Sequence, residues 1–211
     1  MTQSDVGSRY AMIAMRTQVN VADPDDMAIV HEMQDQQILE QKDKGGFVPS
    51  ANWDMEEVLA MRTKYQEIGK AEGITSEQMF GKKGALPLKE HNVGTSSGWG
   101  GLTAERAVYP TIFAESAEPQ TLTLKDVPAG AFWSVTVYDA EGFPQGDVYN
   151  INSAFAVPED DGSFIIHFGG DKGAVNYMDI FENWNFSLRI YEPTEPYFNG
   201  EWVMPELELV E

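Results

Sequence analysis

The segment His91–Gly101 contains the residue types that can hold an anion. Its four glycines surround several hydroxyl side chains, among them that of Thr95, and the indole of Trp99. Glycine lets a ligand come close to backbone N–H groups, which are donors for an oxyanion. With His91 as a base, this pattern favours a hydrolase or lyase in which the Gly94–Gly101 loop stabilises negative charge. The alternative is structural: the glycines allow tight turns, and Trp99 fills the gap between helices and strands.

A second group of polar residues falls on or near the predicted strands. Together with two residues of the glycine-rich segment, they are our candidate ligand-binding residues: Thr95, Trp99, Tyr138, Asn150, Ser153 and Arg189. Arg189 lies on the side of its strand opposite the apolar residues, and a guanidinium there can bind a carboxylate or a sugar hydroxyl. The alternative partner of Arg189 is one of the 34 acidic side chains at the surface.

These candidates must be positioned by a helical half and a strand-rich half of the chain. Asp23 as a cap and Pro24 at the first helical position indicate where the first helix begins. The predicted elements of the helical half are a strand over residues 9–19, a helix from Pro24 to Gly45-Gly46, a helix from Asp54 to Gly69 or Gly73, and a short helix within Thr75–Gly81.

From about residue 105 the apolar spacing becomes that of strands. Trp133, Val135 and Val137 alternate with more polar residues and are predicted to face the core. The many aromatic side chains could instead line an apolar pocket or stack on sugar rings, but in a β-domain they more often form the core. The predicted strands are Gln120–Leu124, Ala131–Tyr138, Ser163–Phe168 and Trp184–Tyr191.

The composition excludes several classes of function. The 211 residues include 14 Lys and Arg against 34 Asp and Glu, a formal net charge of −20. Phosphate backbones and anionic membrane surfaces repel such a chain, so we expect neither nucleic-acid nor membrane binding. There is no cysteine, and the three histidines are separated, so we expect no metal site and no cofactor. No stretch is apolar enough to cross a membrane, so we expect a soluble protein, cytoplasmic if the given N-terminus is native and periplasmic or secreted if a signal was removed.

Several motifs together resemble a known bacterial family. They are the run MFGKKGALPLKEHNVGTSSGWGG at residues 79–101, Asp126-Val127-Pro128, FWSVTVYD at 132–139, Asp161-Gly162-Ser163, Trp184-Asn185, LRIY at 188–191 and Gly200-Glu201-Trp202. In this order they resemble the domain of unknown function 1214, which is often the C-terminal partner of the domain of unknown function 1254. The resemblance covers roughly residues 79–211 and implies a jelly-roll-type β-sandwich beside a helical segment. The family has no established function, so it supplies no catalytic residues.

We therefore expect a mainly β (α+β) protein, an antiparallel jelly-roll-like β-sandwich with an N-terminal helical segment packed beside it. Residues 1–101 would form the N-terminal strand, the helical segment and the glycine-rich loop, residues 102–211 would form the sandwich, and the two parts would make one compact unit. Its predicted function is that of a binding or assembly module for a small polar or carbohydrate-like ligand or a partner chain.

Two alternatives to this binding module stay open at this point. One is the small-molecule hydrolase or lyase that uses His91, the Gly94–Gly101 loop and Arg189. The other is a remnant of a two-domain parent that forms a homo-oligomer to cover exposed edge strands.

Overall fold

The computed structural model describes residues 15–21, 23–40, 46, 52–82, 84–98 and 100–210. The chain divides into two compact units, Met1–Lys42 and Asp43–Glu211. Residues 9–14 of the strand predicted at 9–19 lie outside the described residues, and residues 15–19 are not in a strand. The predicted boundary at residue 101 falls inside the second unit and stays a prediction.

The first unit contains helix α1 (Pro24–Asp35), which begins where the sequence predicts. The Asp23 carboxylate accepts hydrogen bonds from Asp25 N at 3.0 Å and Asp26 N at 3.4 Å. The helix ends at Asp35 rather than at Gly45-Gly46, so its predicted length is wrong. Ile38, just beyond the end, is 84% exposed, and without an apolar contact to cover there is little to extend the helix.

Three helices open the described part of the second unit: α2 (Met55–Glu72), α3 (Ser76–Met79) and α4 (Leu88–Ser96). The predicted start of α2 is confirmed, because Asp54 accepts hydrogen bonds from the first backbone N–H groups of the helix. Gly73 ends α2 with φ at 62°, a left-handed conformation that glycine adopts without strain. Helix α4 is not among the predicted elements.

Close packing explains why the polar sequence of α4 becomes a helix. A Cβ atom on Gly69 of α2 would lie 2.6 Å from Val93 Cγ1 of α4, so the missing side chain lets the two helices approach. Gly94 similarly packs against Met79 of α3. Tertiary contact therefore stabilises a helix whose own glycine, threonine and serine residues favour other conformations.

Nine strands and one further helix follow, all within the described residues. They are β1 (Ala107–Val108), β2 (Thr111–Phe113), β3 (Gln120–Leu124), β4 (Trp133–Tyr138), β5 (Asn150–Asn152), β6 (Phe164–Phe168), β7 (Tyr177–Met178), β8 (Asn185–Tyr191), α5 (Glu195–Phe198) and β9 (Glu208–Leu209). In the first sheet β1 and β2 pair with one edge of β8, and β4 and then β5 lie on its other side. The second sheet has the order β7-β6-β3-β9.

The inner faces of the two sheets share one apolar core. Trp133, Val135 and Val137 are buried in it, so their predicted direction is confirmed. Rings from opposite sheets meet there, with the Phe168 centroid 4.8 Å from that of Trp184 and 5.0 Å from that of Phe186. Most of the tryptophans and phenylalanines of these strands thus stabilise the fold rather than line a pocket.

Helix α3 connects the helical segment to the strands of the same unit. Tyr109 N donates to Ser76 Oγ at 3.2 Å, and the Tyr197 hydroxyl donates to the Glu77 carboxylate. Burial opposes ionisation of Glu77, but hydrogen bonds from Tyr197, Thr75 and Ser76 outweigh it and lower the pKa of its carboxyl. The helices of this unit and the strands are therefore in direct polar contact.

The sheets are antiparallel-rich, and one pair departs from the predicted antiparallel arrangement. Strands β6 and β7 run parallel, with His167 opposite Tyr177 and Phe168 opposite Met178. Residues 169–176 carry the chain back past β6 before β7 begins, and Asn176 in that connection adopts a left-handed φ of 54°. In the part of the chain that the structure describes, the sheets do not close into a barrel. No described helix has both the length and the apolar character that a membrane crossing needs.

Candidate functional site

The first sheet has a second face, which points away from the shared core and carries mostly polar side chains. We call it the outer face and define it by residues that alternate with core residues on β2, β4, β5 and β8: Thr111, Phe113, Phe132, Ser134, Thr136, Tyr138, Asn150, Asn152, Asn185, Ser187, Arg189 and Tyr191. The strand register places Ser134 opposite both Arg189 and Asn152, and Thr136 opposite both Ser187 and Asn150. The outer face thus gathers three of the predicted ligand-binding residues, Tyr138, Asn150 and Arg189.

Arg189 is the only cation of the outer face. Its Nη1 donates to Thr136 Oγ1 at 2.9 Å, and its Nη2 donates to the Tyr138 hydroxyl. The guanidinium carbon lies 5.6 Å from the centroid of the Tyr138 ring, a distance at which a cation is attracted to the ring face. Strand β4 therefore holds the guanidinium by two hydroxyl groups and one aromatic ring.

The partners of Arg189 differ from those of the cations that are ion-paired. Five cations in the described residues lie within ion-pair distance of a carboxylate: Lys82, Lys89, Arg106, Lys125 and Lys172. Among the described residues no carboxylate lies within ion-pair distance of Arg189, so the surface ion pair offered as its alternative role is not seen there. A guanidinium carries five N–H donors, and the described partners of Arg189 account for two of them. The side chain is partly buried, so it is neither enclosed in the core nor fully exposed.

Hydroxyl and amide groups surround the guanidinium. Asn150 Nδ2 donates to Thr136 Oγ1 at 2.7 Å and to Val135 O at 3.1 Å. The hydroxyl oxygens of Thr111 and Ser187 lie 2.7 Å apart on the other side of β8. These contacts form a polar row across four strands, and they fix Thr136 between Asn150 and Arg189.

Aromatic rings lie at both ends of the outer face. Phe132 stacks on Tyr191 with ring centroids 4.2 Å apart and an interplanar angle of 14°. At the other end, Phe113 of β2 lies in register with Asn185, which in turn lies opposite Tyr138. Phe113 is 75% exposed, whereas Tyr138 is 3% exposed. The outer face thus combines one cation, several neutral hydrogen-bonding groups and an accessible aromatic ring.

Ser153 has a structural contact instead of a place beside Arg189. Its hydroxyl accepts a hydrogen bond from Trp133 N at 3.3 Å, and Ser153 N donates to Trp133 O at 3.0 Å. These bonds extend the pairing of β4 and β5 past the end of β5. The side chain nevertheless follows directly on a strand of the outer face, and its predicted role in ligand binding stays a prediction.

The glycine-rich segment is helical over its first half, so the loop predicted at Gly94–Gly101 begins only after Ser96. His91 N donates to Pro87 O at 3.1 Å, and the later backbone N–H groups of helix α4 likewise donate to carbonyls one turn earlier. These N–H groups are therefore used within the helix. Thr95 Oγ1 donates to His91 O at 2.9 Å. The His91 side chain is exposed on α4, and no described hydrogen bond joins it to Arg189. Trp99 lies outside the described residues.

Sequence reasoning overlooked that Gly94–Gly98 has the spacing Gly-x-Ser-x-Gly. In a nucleophile elbow this serine stands on a sharp turn between a strand and a helix. Here Ser96 is buried in the last turn of α4, where its Oγ donates to Val93 O at 2.7 Å. Its carbonyl accepts hydrogen bonds from Arg62 Nε at 3.0 Å and from Gln66 Nε2 at 3.2 Å. Ser96 therefore joins α4 to α2, and its hydroxyl has no base beside it among the described residues.

Two carboxylates of the strand region, those of Asp179 and Asp139, accept several hydrogen bonds that fix loops. Asp179 accepts hydrogen bonds from Asp147 N at 2.8 Å, Val148 N at 2.9 Å and the Tyr177 hydroxyl at 2.8 Å. Burial opposes the charge of Asp179, but these bonds and the Lys172 ammonium outweigh it and lower the pKa of the carboxyl. Burial and the bond to Asp179 raise the pKa of Tyr177 to about 12.

Asp139 is used in the same way. Its carboxylate accepts hydrogen bonds from Glu141 N at 3.0 Å, from Phe143 N at 2.8 Å and from the side chain of Gln145. These carboxylates fix loops and are not arranged as an acid–base pair. Within the described ranges, no three His, Asp or Glu side chains come together as metal ligands.

Three of the four strands that form the outer face, β4, β5 and β8, lie in the part of the chain that matches a known family. Residues 114–195 match the family described as Protein of unknown function (DUF1214). The predicted resemblance is confirmed over these residues. The DUF1214 match includes β3 to β8, and so it contains Thr136, Tyr138, Asn150 and Arg189. No curated protein is significantly similar in sequence to this chain.

Two solved structures resemble the chain. The crystal structure of the VPA0106 protein from Vibrio parahaemolyticus has a TM-score of 0.55 and 17% sequence identity, over 99% of this chain and 61% of that one. The chain thus spans about three fifths of the length of the Vibrio protein, and the likeness concerns the fold alone. The crystal structure of an uncharacterized protein from Burkholderia cenocepacia has a TM-score of 0.39 and 18% identity, over 50% of this chain and 29% of that one.

Proposed function

We propose that the protein is a binding module whose outer face holds a small anionic ligand through Arg189. In this proposal the two sheets are the layers of a jelly-roll-like β-sandwich, and the ligand lies on the side of the first sheet away from the core. The observation that carries the proposal is that Arg189, in a chain of net charge −20, has hydroxyl partners and no carboxylate partner among the described residues.

The physical argument starts from the number of acids around Arg189. With 34 acidic residues in the chain, an exposed arginine readily gains a carboxylate partner, as Arg106 does with Glu192, and Arg62, which joins two helices, donates to a backbone carbonyl. Arg189 differs from both because side-chain hydroxyls hold it. Thr136 and Tyr138 are neutral acceptors, so they orient the guanidinium without neutralising its charge. The planar fork of a guanidinium fits the two oxygens of a carboxylate, and such charge-assisted pairs are stronger than neutral hydrogen bonds.

The rest of the outer face supplies neutral donors and acceptors rather than further charges. The hydroxyls of Ser187 and Thr111 and the amide of Asn150 would bind polar atoms of the ligand beside its anionic group. One positive charge suits a ligand with one negative group better than a polyanion. The net negative charge of the protein also disfavours polyanions, because repulsion grows with the charge of the ligand.

A reaction at His91 has less support from the structure. The amides of Gly94–Gly98, the first part of the predicted Gly94–Gly101 loop, lie in the last turn of the helix or bond back to it, and His91 has no described bond to Arg189. Self-association by edge pairing also gains no support, because every edge strand of the two sheets has two or three residues. Short edges are one way in which proteins avoid adding foreign strands.

Isothermal titration calorimetry with acetate, succinate and inorganic phosphate tests the proposal. We expect acetate to bind the unmodified protein with about 1:1 stoichiometry, and Arg189→Met to lose measurable binding. Arg106→Met is the matched control, because Arg106 is exposed and pairs with Glu192. The control should bind as the unmodified protein does. Equal binding by Arg189→Met, or no binding of any of the three anions to the unmodified protein, would overturn the proposal.

A further inference from the structure

The outer face has one large apolar side chain, that of Phe113, which is exposed without an evident structural reason. Phe113 lies on β2, its neighbour Ile112 packs against the core, and the Phe113 ring is 75% exposed on the opposite side. A large aromatic ring on a strand normally gains stability by covering its neighbours. Phe113 stands opposite the small side chain of Asn185, and no described aromatic ring contacts it. Its apolar surface therefore remains available to a ligand.

The strand register relates Phe113 to Arg189. Phe113, Asn185 and Tyr138 lie side by side on β2, β8 and β4, and the Tyr138 hydroxyl accepts a hydrogen bond from Arg189. Neighbouring strands are about 4.8 Å apart, so the two spacings across β8 separate the Phe113 backbone from that of Tyr138 by about 10 Å. Ser187 and Thr111 form the adjacent row of the same face.

We propose, building on the anion site at Arg189, that the ligand is an amphipathic monocarboxylate whose apolar part packs on Phe113. Its carboxylate binds the guanidinium, and its apolar part crosses β8 in the direction of β2. Burial of apolar surface on an accessible ring adds affinity in proportion to the area removed from water. The polar row between the two ends offers few charges that would need desolvation, which suits an uncharged, extended middle part of the ligand.

The test compares acetate with octanoate on four forms of the protein by isothermal titration calorimetry. For the unmodified protein we expect octanoate, below its micellar concentration, to bind about tenfold more tightly than acetate or better. Phe113→Ala should keep the acetate affinity and lose most of this ratio. Phe198→Ala removes another exposed phenylalanine, which lies on α5 outside the outer face, and should keep the ratio. Arg189→Met should lose both ligands.

The outcomes separate this inference from the proposed function. If acetate binds through Arg189 but octanoate binds no more tightly, the anion site stands and the apolar subsite is wrong. If octanoate is favoured equally in Phe113→Ala, the apolar part lies elsewhere and the assignment to Phe113 is wrong. If Arg189→Met binds acetate normally, the proposed function itself fails. Thermal unfolding of each variant shows that it is folded before it is titrated, and Phe113→Leu replaces Phe113→Ala should the latter not fold.

Discussion

The two faces of the first sheet are built from the same strands and differ in how their side chains are used. On the inner face Trp133, Phe186 and Leu188 are almost fully buried in the apolar core. On the outer face Thr136 and Tyr138 each accept a hydrogen bond from Arg189, and the guanidinium has further N–H groups for which the described residues provide no acceptor. The side chains of the inner face are packed against one another, whereas the outer face has hydrogen-bond donors on Arg189 that could bind a ligand.

This difference separates residues that the fold needs from residues that a ligand would need. Alternation along a strand places one set of side chains in the core and the other set on the opposite face, where polar groups need hydrogen bonds from water or from one another. A surface without a binding role would meet that need with flexible, paired charges. The outer face instead fixes one arginine among neutral groups, which is an arrangement that a binding role explains.

The largest expected effect is on the inner face. Phe186→Ala removes a ring that contacts Phe168 across the core and Trp184 on its own side of it. The cavity and the lost transfer free energy should lower the free energy of unfolding by about 3–5 kcal/mol. Urea denaturation followed by tryptophan fluorescence measures it. Phe198→Ala, at a 54% exposed position, is the control and should change the value by less than about 1 kcal/mol.

A smaller effect is expected for the hydroxyl that organises the outer face. Thr136→Val keeps the shape of the side chain but removes the acceptor shared by Asn150 and Arg189. We expect the free energy of unfolding to fall by about 1–2 kcal/mol, and the acetate affinity to fall because the guanidinium is less well oriented. Thr123→Val, on an exposed part of the second sheet, provides the comparison. Equal behaviour of the two variants would show that the outer face does not depend on Thr136.

Tyr177, on β7 of the second sheet, should make the stability of the protein depend on pH. The pKa of Tyr177 is raised from 10.0 to about 12 by burial and by its bond to Asp179, so the folded state holds the phenol proton more tightly than the unfolded state. The stabilising contribution is complete below pH 10 and is lost as the pH rises from about 10 to about 12. The unmodified protein should therefore lose more stability across this window than Tyr177→Phe does. Parallel curves of unfolding free energy against pH for the two proteins would contradict the assignment.

The smallest effect on stability is expected at the residue with the largest effect on binding. Arg189→Met keeps the aliphatic stem of the side chain and removes its charge. We expect the free energy of unfolding to change by less than about 1 kcal/mol, because Thr136 Oγ1 keeps its hydrogen bond from Asn150 and the aliphatic stem keeps its packing. A loss of stability as large as that of Phe186→Ala would show that Arg189 is a structural residue, and the two faces would then not differ in the way described above.

The longer strands could be predicted from the sequence, whereas the short strands and helix α4 could not. Strands β3, β4, β6 and β8 have regular alternation, and their bounds agree with the prediction to within two residues. The remaining strands have only two or three residues, too few for any pattern, and they exist because β8, β4, β6 and β3 offer them backbone partners. Helix α4 was missed because its stability comes from contacts of Val93 and Gly94 with other helices.

Three of the six predicted binding residues lie on the outer face, and the connections among them could not be predicted. Alternation placed Tyr138 and Arg189 on the side away from the core, and the structure puts them in contact. Thr136 was missed as the link between Asn150 and Arg189, because that role depends on the register of three strands. Phe113 was missed because β2 is too short to reveal which way its side chains point.

The most direct test of the central claim observes the Arg189 side chain itself. In a nitrogen-15 labelled sample, the Nε–H resonance of Arg189 is assigned by its absence from the spectrum of Arg189→Met. Titration with acetate should move this resonance to a saturating value, while the Nε–H resonance of Arg106, which pairs with Glu192, stays in place. An Arg189 resonance that does not move, or that drifts together with that of Arg106 without saturating, would contradict the assignment of an anion site to the outer face.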